Sequence, residues 1–163
     1  MKIGIGSDHA GFELKEDLRK YLGEQNIEVE DLGVKSESPA DYPDIGAAVA
    51  GRVARGEFDR GILICGTGLG MSIVANRFAG VRATLCHDIY SARVGREHND
   101  SNILVLGGRV TGKGLAREIL KVWLESPFQG GNHERRIGKI KALERTIGQE
   151  SERECKNHKW SPP

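Results

Sequence analysis

The sequence contains few cysteines, few aromatic residues and almost no net charge. Its three cysteines are an odd number without paired spacing, which favours a reducing compartment over a disulfide framework. It has no Cys-x-x-Cys pair, so zinc-ribbon and thioredoxin-like motifs are excluded. Twenty-four Lys and Arg residues balance 23 Asp and Glu residues, and this balance argues against a general binder of nucleic acid.

Long apolar segments are also missing. No apolar run approaches the roughly 20 residues that span a bilayer, and the N-terminus lacks the apolar stretch of a signal peptide. The 163 residues suit one domain with a single core. We therefore predict a cytoplasmic protein that binds neither membranes nor nucleic acid.

Short apolar runs alternate with helical patterns along the chain. Consecutive apolar residues are typical of strands buried on both faces of a parallel sheet, and apolar residues at helical spacing separate the runs. Five such alternations predict a doubly wound α/β sheet that binds ligands at the carboxyl ends of its strands. The predicted strands are Lys2–Gly6, Ile27–Leu32, Gly61–Cys65, Val81–Cys86 and Ile103–Leu106.

The C-terminal region predicts a further helix and a tail. Ile137, Ile140, Leu143 and Ile147 recur at helical spacing and indicate an extended C-terminal helix. Residues 1–147 are predicted to form a single domain. The remaining residues, 148–163, are polar and end in Ser-Pro-Pro, so we expect a mobile tail.

The clearest candidate site is the segment Cys65-Gly66-Thr67-Gly68-Leu69-Gly70, which follows a buried strand and opens a helix. Its glycines allow backbone N–H groups to converge on an anion, although a tight turn needs glycines too. The segment lacks the lysine of a P-loop and the spacing of a dinucleotide fingerprint. Cys65 is either a thiolate favoured by the helix N-terminus or a small buried apolar residue.

Polar residues follow other predicted elements. Asp8 and His9 end the first strand, where they could cap a helix or meet sugar hydroxyls and a phosphate. His98 and Asn99 follow the fourth helix, either as a polar loop or as a site of proton transfer. Arg109 ends the last strand, where a guanidinium could bind a phosphate.

A basic cluster that includes Arg136 begins the C-terminal helix, and it is either a phosphate-binding group or a solvated face. No carboxylate–histidine cluster has metal-ligand spacing, so no metal site is predicted.

Together these segments resemble the type B ribose-5-phosphate isomerases, in the wider family with galactose-6-phosphate isomerase. The similarity covers about residues 1–145 in the family's order. The resemblance implies a Rossmann-like three-layer sandwich with a five-stranded parallel sheet. It also implies a homodimer, possibly a tetramer, whose active site is shared between subunits. The matching segments are residues 7–11, 41–44, 65–70, 75–77, 98–100, 107–109 and 130–136.

The resemblance also implies roles for individual residues. Cys65, with Thr67 beside it, would be the base that moves a proton between C1 and C2 of the open-chain sugar phosphate. His98 would open the furanose ring, and the glycine-rich loop would stabilise an enediolate. The substrate-binding residues implied by the resemblance are Asp8, His9, Gly66, Thr67, Gly68, Leu69, Gly70, Asn99, Arg109 and Arg136.

One position departs from the family's pattern. The family usually has an arginine where this sequence has Asn132, in the segment Gly-Gly-Asn-His-Glu-Arg-Arg. A neutral donor binds phosphate less strongly than a charged one, so the change would lower phosphate affinity or favour a different sugar phosphate.

The sequence therefore predicts a cofactor-free, metal-independent isomerase of the pentose phosphate pathway. It would interconvert D-ribose 5-phosphate and D-ribulose 5-phosphate through an enediolate. One alternative is the same chemistry on a hexose or tetrose phosphate. Others are a non-catalytic module that binds phosphosugars or nucleotides, and a redox sensor built on Cys65.

Overall fold

Five strands form one parallel sheet within the unit Met1–Gln129 of the computed structural model, which describes residues 1–157. The strands are β1 (Lys2–Ser7), β2 (Glu28–Asp31), β3 (Arg60–Cys65), β4 (Ala83–Leu85) and β5 (Ile103–Gly107). Their order across the sheet is β2-β1-β3-β5-β4, and each neighbouring pair is parallel. The predicted five-stranded parallel sheet is confirmed.

Helices cover both faces of this sheet. They are α1 (Phe12–Glu24), α2 (Tyr42–Ala54), α3 (Leu69–Ala75), α4 (Ile89–Glu97) and α5 (Lys113–Glu125), and a single 3₁₀ turn, His9–Gly11, precedes α1. Helices α1, α4 and α5 pack on one face, whereas α2 and α3 pack on the other. This arrangement is the predicted three-layer sandwich.

The central strands are buried on both faces, which explains their unbroken apolar sequences. In β3, Ile62 and Ile64 pack with the helices of the first face, whereas Leu63 and Cys65 pack with those of the second. Residues of β5 alternate between the two cores in the same way. Because side chains alternate across a strand, every residue of such a strand must be apolar or small.

Two elements are shorter than the sequence pattern predicts. Strand β4 has three residues instead of the six from Val81 to Cys86. Helix α3 ends at Ala75, although the apolar pattern that begins at Leu69 predicts a helix as far as Phe78. Asn76 connects the two ends, because its side-chain amide donates to the Ser72 and Ala83 carbonyls and accepts from the Ala83 N–H. These bonds stop the helix and begin the edge strand.

The second unit begins at Gly130 and contains the extended C-terminal helix α6 (Asn132–Asn157), as predicted. Contacts within the chain group residues Met1–Gln129 into one unit and begin a second at Gly130, and the single domain of residues 1–147 stays a prediction. Helix α6 continues past residue 148 without interruption. The mobile tail of residues 148–163 stays a prediction, and its last six residues lie outside the described part of the chain. Among the helices of residues 1–157, none has the length and apolar character needed to cross a membrane.

Gly11 and Gly23 test how closely the loop after β1 packs on the sheet. A Cβ on Gly11 would lie 2.7 Å from the Ile64 carbonyl oxygen, whereas a Cβ on Gly23 in α1 would meet open space. We expect Gly11→Ala to lower the free energy of unfolding by about 1–3 kcal/mol. The matched control, Gly23→Ala, should raise it by about 0.5–1 kcal/mol, because alanine favours helix. Urea unfolding at one protein concentration measures both changes, and equal effects would contradict the packing argument.

Candidate active site

Three loops meet at the carboxyl edge of the sheet, where β1, β3 and β5 end side by side. The Asp8 N–H donates to the Ile64 carbonyl at 3.3 Å, and the Gly108 N–H donates to the Cys65 carbonyl at 2.8 Å. The chain leaves β1 toward one face of the sheet and leaves β3 toward the other. A crevice at such a switch point is the usual ligand site of open α/β sheets.

Cys65 is the last residue of β3, and the glycine-rich loop folds back over its side chain. The thiol is 5% exposed, and its Sγ accepts a hydrogen bond from the Gly68 N–H at 3.2 Å. The exposed Thr67 lies next in the loop, where its Oγ1 accepts from the Leu69 N–H at 3.3 Å. The loop therefore places a backbone N–H directly against the sulfur of the candidate base.

Only glycine fits at position 68. Its φ angle of +83° lies in the left-handed region, and a Cβ there would clash with Leu85 and lie 3.1 Å from the Leu106 carbonyl oxygen. Gly70 is also tightly packed, because a Cβ would lie 2.6 Å from the ring of Tyr42. Tyr42 is thus a neighbour of the thiol loop that the sequence did not assign to the site.

The first loop presents Asp8 and His9. Asp8 is buried, and its Oδ1 accepts from the Gly11 N–H at 3.0 Å, so the predicted capping role is confirmed. The His9 Nδ1 accepts from the Ala40 N–H at 3.3 Å. A neutral His9 therefore carries its proton on Nε2 and can donate it to a ligand oxygen.

A cavity of about 410 Å³ lies beside His9 and Arg109. Its lining includes two acidic residues, Glu13 and Glu37, and three basic residues, His9, Arg109 and Lys113. The cavity includes the start of α5, whose free N–H groups favour anions. Thr111, also in the lining, has a buried hydroxyl without a hydrogen-bond partner among the described residues. These features suit a phosphate, but Cys65 is not part of the lining.

His98 and Asn99 lie at the opposite edge of the sheet. They follow α4, and the Asn99 carbonyl accepts from the Nε of Arg82, which directly precedes β4. Arg60, the first residue of β3, donates to the nearby Ser101 carbonyl at 3.0 Å. Cys65 is the last of the six residues of β3, so at about 3.3 Å per residue the two edges are about 16 Å apart. One copy of the chain therefore does not bring His98 to Cys65.

Arg136 and Asn132 belong to α6 in the second unit, and both side chains are exposed. The predicted contact of Arg136 with a phosphate stays a prediction. Among residues 1–150, whose side chains the structure describes, no group of three or more His, Cys, Asp or Glu residues could hold a metal ion. Metal independence is a separate question, and it also stays a prediction.

Comparison with known proteins identifies the family. A family model described as ribose/galactose isomerase matches residues 3–140. Ribose-5-phosphate isomerase B of Escherichia coli is 49% identical over 143 residues, which are 88% of this chain and 96% of the relative. A D-erythrulose-4-phosphate isomerase of Pectobacterium atrosepticum is 42% identical over 142 residues, 86% of this chain and 93% of the relative.

A solved structure agrees with these relatives. That of Clostridium thermocellum ribose-5-phosphate isomerase B has a TM-score of 0.89 and 52% identity, and the match covers 90% of this chain and 99% of that one. The chain belongs to the ribose/galactose isomerase family. It is a sugar phosphate isomerase, and the enzyme class predicted from the sequence is confirmed.

The two buried cysteines, Cys65 and Cys86, differ in their expected reactivity. Burial, together with the charge of Asp88, raises the pKa of Cys86 to about 12, so only about one in 10,000 of these side chains is thiolate at pH 8. In a Cys155→Ser background, we expect iodoacetamide to label Cys65 and to leave Cys86 unlabelled. Peptide mapping by mass spectrometry measures both positions. Comparable labelling of Cys86 would contradict the effect of its burial on the thiol.

Proposed function

We propose that the protein interconverts D-ribose 5-phosphate and D-ribulose 5-phosphate by proton transfer through an enediolate. The observation that carries this proposal is the Cys65 thiol beneath a glycine-rich loop, with the Gly68 N–H 3.2 Å from Sγ. A relative 49% identical is named ribose-5-phosphate isomerase B, which supports the same substrate. The cytoplasmic location and the independence from metals and cofactors are part of the proposal.

In the proposed reaction, the Cys65 thiolate removes the proton from C2 of the open-chain aldose. The electrons of the C–H bond form the C1–C2 double bond, and negative charge moves onto O1. The same sulfur then returns the proton to C1, while a second proton moves from O2 to O1. Thr67 and the N–H groups of the loop from Gly66 to Gly70 stabilise the charged oxygens, an effect that is often the largest in such catalysis.

Ring opening is assigned to His98 of a second copy of the chain. The separation of Cys65 and His98 across the sheet supports a site built from two subunits. Apolar side chains near the carboxyl edge are also exposed in the single chain: Leu69 is 58% exposed, Ile73 59% and Tyr90 72%. Such side chains fit a subunit contact. We therefore propose a homodimer, possibly paired into a tetramer, with each site shared.

The remaining predicted residues would bind the substrate. Asp8 holds sugar hydroxyls, and Asn99 holds the substrate beside His98. His9 and Arg109 border the cavity that suits a phosphate. Phosphate binding by Arg136 is a separate part of the proposal. Asn132 offers only a neutral donor, so the phosphate would depend more on the other groups.

A tetrose phosphate is the second candidate substrate, because a relative 42% identical is named D-erythrulose-4-phosphate isomerase. Ribose 5-phosphate closes a furanose ring through O4, and an enzyme must open that ring. In a tetrose 4-phosphate, O4 carries the phosphate and no furanose can form. A ring-opening histidine therefore serves a pentose phosphate and has no such task with a tetrose phosphate.

The direct test compares turnover of ribose 5-phosphate and D-erythrulose 4-phosphate by chelator-treated protein. We expect metal-independent turnover with a higher kcat/KM for the pentose, and complete loss in Cys65→Ala. Preference for the tetrose would replace the proposed substrate, and turnover by folded Cys65→Ala would refute the base. Cys86→Ala is the matched control and should remain active.

Ring opening can be separated from proton transfer with the ketose, because ribulose 5-phosphate is acyclic. We expect His98→Asn to reduce isomerisation of ribose 5-phosphate about 100-fold or more, the usual scale of acid–base catalysis. It should still exchange deuterium from heavy water into ribulose 5-phosphate. Nuclear magnetic resonance measures this exchange, and loss of exchange together with isomerisation would contradict a role limited to ring opening.

Mixing two inactive variants tests the shared site. In a dimer of one Cys65→Ala chain and one His98→Asn chain, one site has both functional residues and the other has neither. Refolding the two variants together at equal concentrations gives half mixed dimers, so about a quarter of the wild-type activity should return. A site contained in one chain predicts no recovery.

A further inference from the structure

The turn that follows His98 has an unusual backbone. Asp100 has a φ of +45°, one of two non-glycine residues with positive φ among the described residues. Aspartate tolerates this conformation better than most residues but still favours others. A turn of this kind persists only where its surroundings hold it. The surroundings of Asp100 are therefore relevant to how His98 and Asn99 are presented.

Arg82 makes most of the contacts that hold this turn. Its Nε donates to the carbonyls of Asn99 and Asp100, at 3.0 and 2.9 Å. One terminal nitrogen donates to the Asp100 carboxylate at 2.9 Å, and the other to the Gly80 carbonyl at 3.3 Å. Arg82 therefore binds both the backbone carbonyls of the turn and the side chain of Asp100. A planar guanidinium can make all of these bonds at once, whereas an ammonium cannot.

A second, buried arginine binds the same turn from the side of the protein core. Arg96, on α4, is 4% exposed and donates to the Asp100 carboxylate at 2.8 Å and to the Ser101 carbonyl at 2.6 Å. Ser101 is held further, because its hydroxyl accepts from the indole N–H of Trp123 at 2.6 Å. The C-terminal side of the turn is therefore fixed to the core, and Arg82 is the partly exposed contact on its other side.

Positive charge gathers at this edge of the sheet. Burial and the charges of Arg96 and Arg82 lower the pKa of Arg60 to about 10. Asp100 is the carboxylate that bridges Arg82 and Arg96. Three guanidiniums therefore lie around one turn, and their desolvation and mutual repulsion are offset by the bonds to Asp100 and to the backbone carbonyls.

We propose that Arg82 is a positioning residue that sets His98 and Asn99 for ring opening, acting through the Asn99–Asp100 turn. Arg82 itself touches no substrate in this scheme. Its bonds to the Asn99 and Asp100 carbonyls fix the direction in which the preceding imidazole and amide are presented to a neighbouring subunit. The inference rests on the proposed role of His98, and it adds a residue outside the catalytic groups to that role.

The test uses Arg82→Met, Arg82→Lys and the control Arg117→Met. Arg117 forms a comparable pair with Asp17 between α1 and α5, with no contact to the turn. We expect Arg82→Met to reduce isomerisation of ribose 5-phosphate at least about tenfold, because small misplacements of catalytic groups are costly. Deuterium exchange into ribulose 5-phosphate should stay within about twofold of the wild type. The isomerisation rate of Arg82→Lys should lie between those of Arg82→Met and the wild type. Arg117→Met should leave both the isomerisation and the exchange rates unchanged.

Two outcomes would overturn the proposal. Unchanged isomerisation by Arg82→Met would show that the turn needs no arginine. Equal losses of isomerisation and exchange would show a general structural defect instead of misplaced ring-opening groups.

The resonances of the His98 ring give a readout that is independent of turnover. They should move in Arg82→Met and stay in place in Arg117→Met. If the wild-type protein fails to isomerise the pentose while these shifts appear, the proposed function fails and the positioning holds. If Arg82→Met leaves these resonances in place and the wild-type enzyme is active, the positioning role of Arg82 is refuted and the proposed function stands.

Discussion

Strand β3 pairs with β1 on one side and with β5 on the other, and these two pairings bring the loops that follow the three strands together at the carboxyl edge. The register brings Ser7 beside Ile64 and Cys65 beside Gly107. Parallel pairing is what makes the three strand ends coincide, because each loop then emerges on the same side of the sheet. The glycines at these ends allow the loops to approach closely; a Cβ on Gly108, for instance, would lie 2.6 Å from the Ala10 carbonyl oxygen.

Residues buried on both faces were the easiest to predict from the sequence. The unbroken apolar runs of β3 and β5 could hardly be anything but central strands, and the family resemblance agreed with that interpretation. The edge strand β4 was harder, since polar contacts of Asn76 set where it begins. A hydrophobic pattern does not contain that information, so the predicted strand from Val81 to Cys86 was too long.

The candidate site shows the same contrast. Cys65 and its loop follow from a strand, a run of glycines and a helix, which are adjacent in sequence. Glu37 comes from the loop after β2, whereas Thr111 and Lys113 come from the end of the β5–α5 connection, and only the folded chain shows that they border one cavity. The position of His98 lay within reach of the sequence, because a helix that leaves the carboxyl edge ends at the amino edge. That simple geometry separates His98 from Cys65.

The separation of His98 from Cys65 determines which form of the enzyme can be active. If each site takes its thiol from one chain and its imidazole from another, a free monomer holds two half-sites and no complete one. Specific activity then depends on protein concentration and falls on dilution below the dissociation constant of the dimer. The catalytic rate then measures the fraction of chains that are associated. An agent that separates the subunits would inhibit the enzyme without entering the sugar pocket.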